Sequence, residues 1–316
     1  MPTDAVPIAA SELAKVTVFY CDIPNAGDQF NLDLFLHYGH VAELVPPQEA
    51  EVIGCGSILG WPPHHYTGAI MGGGFMTAEC GNTFNRAAIY AVRGKLTRMR
   101  VCRNTFALGD PGLLASSIYG SSDKQCALGI IPHFLDAASP AIRDLVASDS
   151  KNAMVIDMTQ SPTDVIRQLT ECEAIVSSSL HGLVFADSFN IPSAWMSISD
   201  NVAGAGFKFR DYYSIFGECP DPLGPSQLRS VSAVLNQTRR RPDGPLGETK
   251  HNLNCLFGKL PEVVEEVRTR RRSRLRQTMT IIRNRCKAIK SEELMLSPVN
   301  QGRCRNSIPS VLRWLP

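Results

Sequence analysis

The chain has 316 residues, 44% of them apolar and 20% charged, with a formal net charge of +2. These values fit a globular protein with one large or two ordinary α/β domains, and they exclude fibrous and disordered classes. No run of about 18 apolar residues is present, which excludes a helix crossing a bilayer.

Met1–Ala10 lacks Lys and Arg and contains Pro2, Asp4 and Pro7, so no secretory signal is expected. The ten cysteines are scattered, none in a CxxC pair, which suits a reducing cytoplasm. The charge is unevenly spread. From Arg239 onward there are 18 basic and 7 acidic side chains, about +11, which leaves about −9 for the rest.

In chain order, Lys15–Cys21 predicts a buried first strand and Ile23–Asp28 a loop. Glu51–Leu59, Ala69–Met76 and Ala87–Gly94 are further strand-like runs, two of them rich in glycine. A helix is expected from Lys95, and a short strand and turn over Thr105–Leu114. The rhythm resumes with a strand at Cys126–Phe134, a helix at Pro140–Ala147 and a strand at Ala153–Met158. Ser161 opens a helix, with Pro162 in its first turn and Asp164 supplying first-turn negative charge. Ala174–Ser177 is a strand that turns through Ser178–Gly182 into a helix ending near Phe189, and Ile191–Ile198 is another strand. Arg239–Thr249 has the polar, Pro- and Gly-containing character of a linker. Leu260–Arg285 has helical spacing and many arginines, and Gln301–Pro316 shows no period. Apolar strands alternating with amphipathic helices imply parallel sheets covered on both faces. Two such halves imply two Rossmann-like domains, residues 1–118 and 119–235, with a central cleft, followed by a linker, basic helix and tail over 236–316. Ligands are expected at the carboxyl ends of the strands.

The segment Ala174–Asn190, AIVSSSLHGLVFADSFN, carries the strongest chemical signal. A strand ending in serines before a helix offers backbone N–H groups and a positive dipole end to an anion. Ser179, Leu180 and Gly182 belong to that turn, and His181 is placed there to move a proton. The same letters also describe a serine-capped helix with a structural histidine. Arg93, in YAVRGKLTR, has the planar guanidinium suited to carboxylate or phosphate, or else decorates a helix start. Lys208 and Arg210, in GFKFRDYY, offer two cations for phosphate or form a solvated charged loop. Asn25 and Asp28 in NAGD are candidate sugar contacts, and His133 in GIIPHFLD is a second acid–base group, a sugar contact or a structural histidine. Asp110-Pro111-Gly112 is a turn signature. The acidic body disfavours nucleic acid, and no metal-ligand spacing is present.

In their order, NAGD, GSIL, GGGFM, AVRGKLTR, LGDPGLL, GIIPHF, SSSLHG and KFRDYY resemble the polysaccharide pyruvyl transferase family over roughly Val16–Phe216. The likeness is greatest to the bacterial exopolysaccharide ketal-pyruvate transferases. The resemblance implies a GT-B-like pair of domains, phosphoenolpyruvate as donor, a sugar or lipid-linked oligosaccharide as acceptor, and neither cofactor nor metal. It puts the donor-site arginine on Arg93 and the donor-site histidine on His181, beside Leu180. Ser179 stands where family members can carry arginine, so Lys208 or Arg210 would take over a phosphate contact. The basic tail reads either as a solvated helix with no partner or as peripheral contact with anionic lipid at the inner face of a membrane. A nucleotide-sugar glycosyltransferase of GT-B type and a non-catalytic glycan-binding relative are the alternatives.

Overall fold

The structure is a computed structural model that describes residues 13–79 and 82–295. The readings of Met1–Ala10 and Gln301–Pro316 fall outside those residues. Of these, the residues up to Arg268 form one compact unit and those from Thr269 a second.

Two sheets organise the first unit, and every strand pair within them is parallel. Six strands form the first: β1 Ala14–Phe19, β2 His40–Leu44, β3 Val52–Ile53, β4 Ala69–Met71, β5 Ala88–Val92 and β6 Ala107–Leu108, in spatial order 2-1-3-4-5-6. Four form the second: β7 Cys126–Ile131, β8 Ala153–Val155, β9 Cys172–Ser177 and β10 Ser193–Trp195, in order 10-9-7-8. This is the parallel α/β architecture that the alternating pattern predicts. In each sheet the chain reverses direction once, between β1 and β3 and between β7 and β9. Loops leaving neighbouring strands on opposite sides open a crevice at such a point, where ligands of doubly wound sheets bind.

The helices follow from local sequence. Helix α1, Ala26–His37, is capped by the Asn25 side chain, which accepts the Gly27 N–H at 2.9 Å, and buries Phe30, Leu34 and Phe35. It overturns the loop expected over Ile23–Asp28, because the Asx cap is also a helix start, and Asp28 lies in its first turn. Helix α2 is Lys95–Val101, α3 Ala115–Ile118 and α4 Pro140–Ser148. Helix α5, Pro162–Thr170, is capped by Ser161 accepting the Asp164 N–H, as its sequence predicts. Helix α6, Leu180–Ser188, is buried all round. Helix α7, Phe207–Tyr213, replaces the solvated charged loop, since Phe209 stacks on Trp195 at 4.6 Å and anchors it.

After α8, Val231–Leu235, the segment with linker composition is helical from Asp243. Helix α9, Asp243–Phe257, buries Leu246, Thr249 and Leu253, spaced to face the core. Helix α10 is Leu260–Met295. Its first turns bury Leu260, Val263, Val264 and Val267, whereas from Thr269 the second unit presents exposed arginines. One core joins the two sheets, with Phe30 of α1 meeting Phe185 of α6 edge-on at 5.4 Å. Among the described residues, no helix is long and apolar enough to cross a membrane.

Candidate functional site

The two crevices meet in one cavity of about 320 Å³. Cys21 and Ser57 line it from the β1/β3 side and His133, Ser179 and His181 from the β7/β9 side. Its size is at the small end of small-molecule sites, about 300–1,000 Å³.

The serine-rich turn is built by its own hydrogen bonds. Ser177 Oγ donates to the Ser179 carbonyl at 2.8 Å and accepts the Ser179 N–H at 2.9 Å. Ser178 Oγ accepts the His133 N–H at 2.8 Å, tying the β7 loop to it. Ser179 is the N-cap of α6 but makes no side-chain cap, so the helix keeps its positive end uncapped beside the cavity. Gly182 serves packing rather than the cavity surface, since a Cβ there would stand 2.5 Å from Ser177 Oγ.

His181 projects from the first turn of α6 and is 8% exposed. Its ring stacks near Phe185, and Nε2 lies 3.1 Å from Cys55 Sγ and 3.7 Å from Asp110 Oδ1. The other edge presses on α1, where a Cβ on Gly27 would fall 1.8 Å from Nδ1. Asp110 is fully buried, caps the 3-10 turn Pro111–Leu114 by accepting the Gly112 N–H at 2.9 Å, and accepts from the Cys55 thiol at 3.3 Å. Its Oδ2 has no hydrogen-bond partner among the described residues. Burial would raise this carboxyl, but His181, the Gly112 N–H and Arg93 together hold it below the usual carboxylate range. An ionised, buried Asp110 therefore faces the imidazole edge that carries Nε2.

Cys55, Asp110 and His181 also place three ligand atoms within 4.8 Å of one another, a spacing compatible with a divalent cation. Burial and the Asp110 carboxylate push the Cys55 thiol well up, and a thiol must ionise to ligate. The contacts described above already join the three groups by hydrogen bonds.

Two further ionisable groups line the cavity with shifts of opposite sign. Burial pushes the Asp28 carboxyl up to about 6, against the pull of His181 and Lys208 and with a push from Asp110. Burial, reinforced by Arg93 and opposed by Asp28, brings the Lys208 ammonium down to about 8. His133 is also lowered, first by burial and then by Lys208, with Asp136 opposing. Asn25, Leu180 and His133 line the same cavity as His181, Asp28 and Lys208. An anion placed there would relieve the desolvated lysine and meet the α6 dipole.

Arg93 lies one layer behind. It is fully buried, its Nε donates to Asp211 Oδ2 at 3.0 Å, Nη1 to Ser57 Oγ at 2.6 Å and Nη2 to the Phe75 carbonyl at 2.6 Å. Two glycines of its neighbourhood exist to admit this layer. A Cβ on Gly74 would sit 2.3 Å from the guanidinium carbon, and one on Gly94 1.8 Å from the Asp211 carbonyl oxygen. Arg93 thus reaches the cavity through the Ser57 hydroxyl. Arg210 is not brought in either. It donates to the Ala205 carbonyl, lies over Trp195 at 5.8 Å and lines a neighbouring cavity of about 480 Å³.

Sequence reasoning overlooks Asp110, Cys55 and Ser57. The signal for Asp110 is a carboxylate directly after a strand of a parallel sheet, hidden inside a turn signature. That for Cys55 and Ser57 is the glycine run after β3.

Residues 73–200 match the sequence model of the polysaccharide pyruvyl transferase family. That span includes Arg93, Asp110, His133 and Ser179–Gly182, and stops short of Lys208. The chain is 32% identical over 139 residues to the uncharacterized protein L143 of Acanthamoeba polyphaga mimivirus, covering 40% of this chain and 48% of that one. It is 29% identical over 205 residues to the succinoglycan biosynthesis protein ExoV of Rhizobium meliloti, covering 61% and 62%. The matches thus span between about half and three fifths of the relatives' lengths.

Proposed function

From the premise that residues 73–200 carry a polysaccharide pyruvyl transferase domain, we propose that this protein transfers a pyruvyl group from phosphoenolpyruvate to two hydroxyls of one sugar, forming a cyclic ketal. The acceptor belongs to an exopolysaccharide or its lipid-linked precursor. One observation carries this reading: a single small cavity holds an imidazole backed by a buried carboxylate, a desolvated lysine, a carboxyl titrating near 6 and an uncapped helix start. A small dianion that reacts by gaining a proton suits that set.

In this mechanism Lys208 and the start of α6 hold the donor's carboxylate and phosphate. Arg93 acts from behind, by orienting Ser57 and by its charge. His181 delivers a proton to the methylene carbon, which becomes the methyl group and leaves the adjacent carbon electrophilic. A sugar hydroxyl adds to that carbon and gives its proton to Asp28. Inorganic phosphate leaves with the C–O bond electrons, and the second hydroxyl closes the ring, its proton returning to the site. Donor, acceptor and the chain's own residues suffice, so the donor is a co-substrate and the scheme uses no cofactor. Residues 1–118 take the acceptor side and 119–235 the donor side, in a GT-B-like division. The basic stretch of α10 rests on anionic lipid, at the membrane face where lipid-linked acceptors are found.

The test is incubation with phosphoenolpyruvate and candidate glycans, reading phosphate release and the added pyruvyl mass. His181→Ala should lose at least about a hundredfold in turnover while circular dichroism still shows the native fold. Consumption of nucleotide sugars, with phosphoenolpyruvate left intact, refutes the reading.

A further inference from the structure

Four exposed large apolar side chains cluster at the mouth of the 320 Å³ cavity. Ile23, Trp61, Phe134 and Leu135 all line it, and their exposures are 40%, 60%, 54% and 50%. Leaving that much apolar surface in water is unfavourable, and clustered apolar exposure beside a pocket marks a binding surface. The two rings come from opposite sides, Trp61 from the loop after β3 and Phe134 from the loop after β7. Each is braced by a neighbour. Trp61 leans on Phe19 at 5.7 Å, and Phe134 lies at 4.4 Å from the His133 ring.

The polar groups around them decide what the ligand is. Asn25 and Asn201 line the same cavity and offer uncharged polar groups, the Asn25 amide N–H groups remaining while its Oδ1 caps α1. Among the residues lining it, Lys208 is the only Lys or Arg, and it is 7% exposed, too buried to attract an anionic membrane. A ligand with apolar C–H faces and neutral hydroxyl edges satisfies both the rings and the amides, and that description is a pyranose ring. Resting on the pyruvyl-transfer reading, which requires a sugar beside the donor, we propose that Trp61 and Phe134 form a two-sided aromatic seat for the acceptor hexopyranose. The seat holds the ring's C–H faces while Asn25 and Asn201 sort its hydroxyls. It makes these side chains determinants of which glycan is accepted.

The test uses the full chain and methyl glycosides of glucose, galactose and mannose in both anomers, with binding read by saturation-transfer NMR and affinity by titration. At least one sugar should receive saturation at its ring C–H protons. Trp61→Ala and Phe134→Ala should each weaken that sugar about tenfold, with calorimetric binding of phosphoenolpyruvate unchanged and Trp61→Tyr restoring most of the affinity. Both side chains are more than half exposed, so the variants keep their core. Wild-type affinity in both alanine variants, or no saturation of any sugar, overturns the seat. So does cosedimentation with neutral phosphatidylcholine vesicles that Trp61→Ala abolishes, which would make the mouth a bilayer contact. Sugar binding without phosphoenolpyruvate-dependent phosphate release would sink the transfer reading and leave the seat standing. Phosphate release with unchanged acceptor KM in Trp61→Ala would do the reverse.

Discussion

Gly27→Ala probes the imidazole without touching an ionisable group. The added methyl would start 1.8 Å from His181 Nδ1 and 2.2 Å from Cγ. Ordinary contact begins at 3.4 Å, so either the ring or α1 must retreat by about 1.6 Å. Helix α1 is held by Phe30, Leu34 and Phe35, all fully buried, and the methyl would also stand 2.7 Å from His181 Cβ, so the whole His181 side chain is pushed away together with the first turn of α6. Its movement breaks the 3.1 Å contact with Cys55 and the approach to Asp110. Misplacing a reacting group by about 1 Å costs on the order of a hundredfold in rate, so turnover should fall at least that far. Stability should fall modestly, because a Cβ cannot swing aside as a ring can. The helix gains up to about 1 kcal/mol from replacing glycine by alanine, against about 1–3 kcal/mol for overpacking. Phosphate release from phosphoenolpyruvate with an accepted glycan reads the first effect, and thermal denaturation the second. A variant that melts near wild type and turns over at the wild-type rate would refute the claim that His181 acts from this position.

Asp110→Asn should leave the fold intact but lower turnover by about a hundredfold or more, because the amide no longer sets a negative charge against the Nε2 edge; circular dichroism and a rate assay check both. Asp28→Asn tests the raised carboxyl through stability. A carboxyl with pKa 3.8 unfolded and about 6 folded costs nothing below the lower value, and its penalty grows between the two and is complete above the higher. The asparagine variant should therefore gain up to about 3 kcal/mol at neutral pH and nothing at about pH 3, seen in denaturant melts across pH. Replacing Arg270, Arg271, Arg272 and Arg274 by glutamine should release the chain from vesicles containing phosphatidylserine, at about 1 kcal/mol per charge, and unchanged sedimentation would remove the lipid contact.

What the residues alone reveal depends on the range over which each group is held. The Ser161 cap and the strand before SSSLHG are local patterns, and both emerge as read. Helix α1 is misread because an asparagine before Ala-Gly-Asp signals a turn as readily as a cap, and tertiary burial of Phe30 and Phe35 decides between them. Helix α9 is missed for a similar reason, since its two glycines and proline mask Leu246 and Leu253 at core spacing. The partners of the chemical groups are remote. Cys55 lies 126 positions from His181, and Arg93 lies 118 from Asp211, so no spacing within a window displays either pair. Arg93 illustrates the consequence. Its residue type points to anion binding, yet Asp211 and the Phe75 carbonyl claim two of its nitrogens, leaving Ser57 as its contact with the cavity wall.

Sheet topology explains why so few local signals suffice to make a site. Each sheet is parallel and reverses once, so each must part its loops at one pair of strands. At β1/β3 those loops carry Cys21, Cys55 and Ser57, with Asp28 on the helix that follows β1. At β7/β9 they carry His133, Ser179 and the start of α6. The Phe30–Phe185 contact joins α1 to α6 and so ties the helix bearing Asp28 to the helix bearing His181. Lys208 arrives from outside both sheets, on a helix fixed by the Phe209–Trp195 stack. Disturbing that stack should therefore loosen Lys208 and the donor's phosphate while leaving Asp110, Cys55 and His181 together. Phe209→Ala, 2% exposed in the wild type, should on this argument raise donor KM more than it changes the acceptor's.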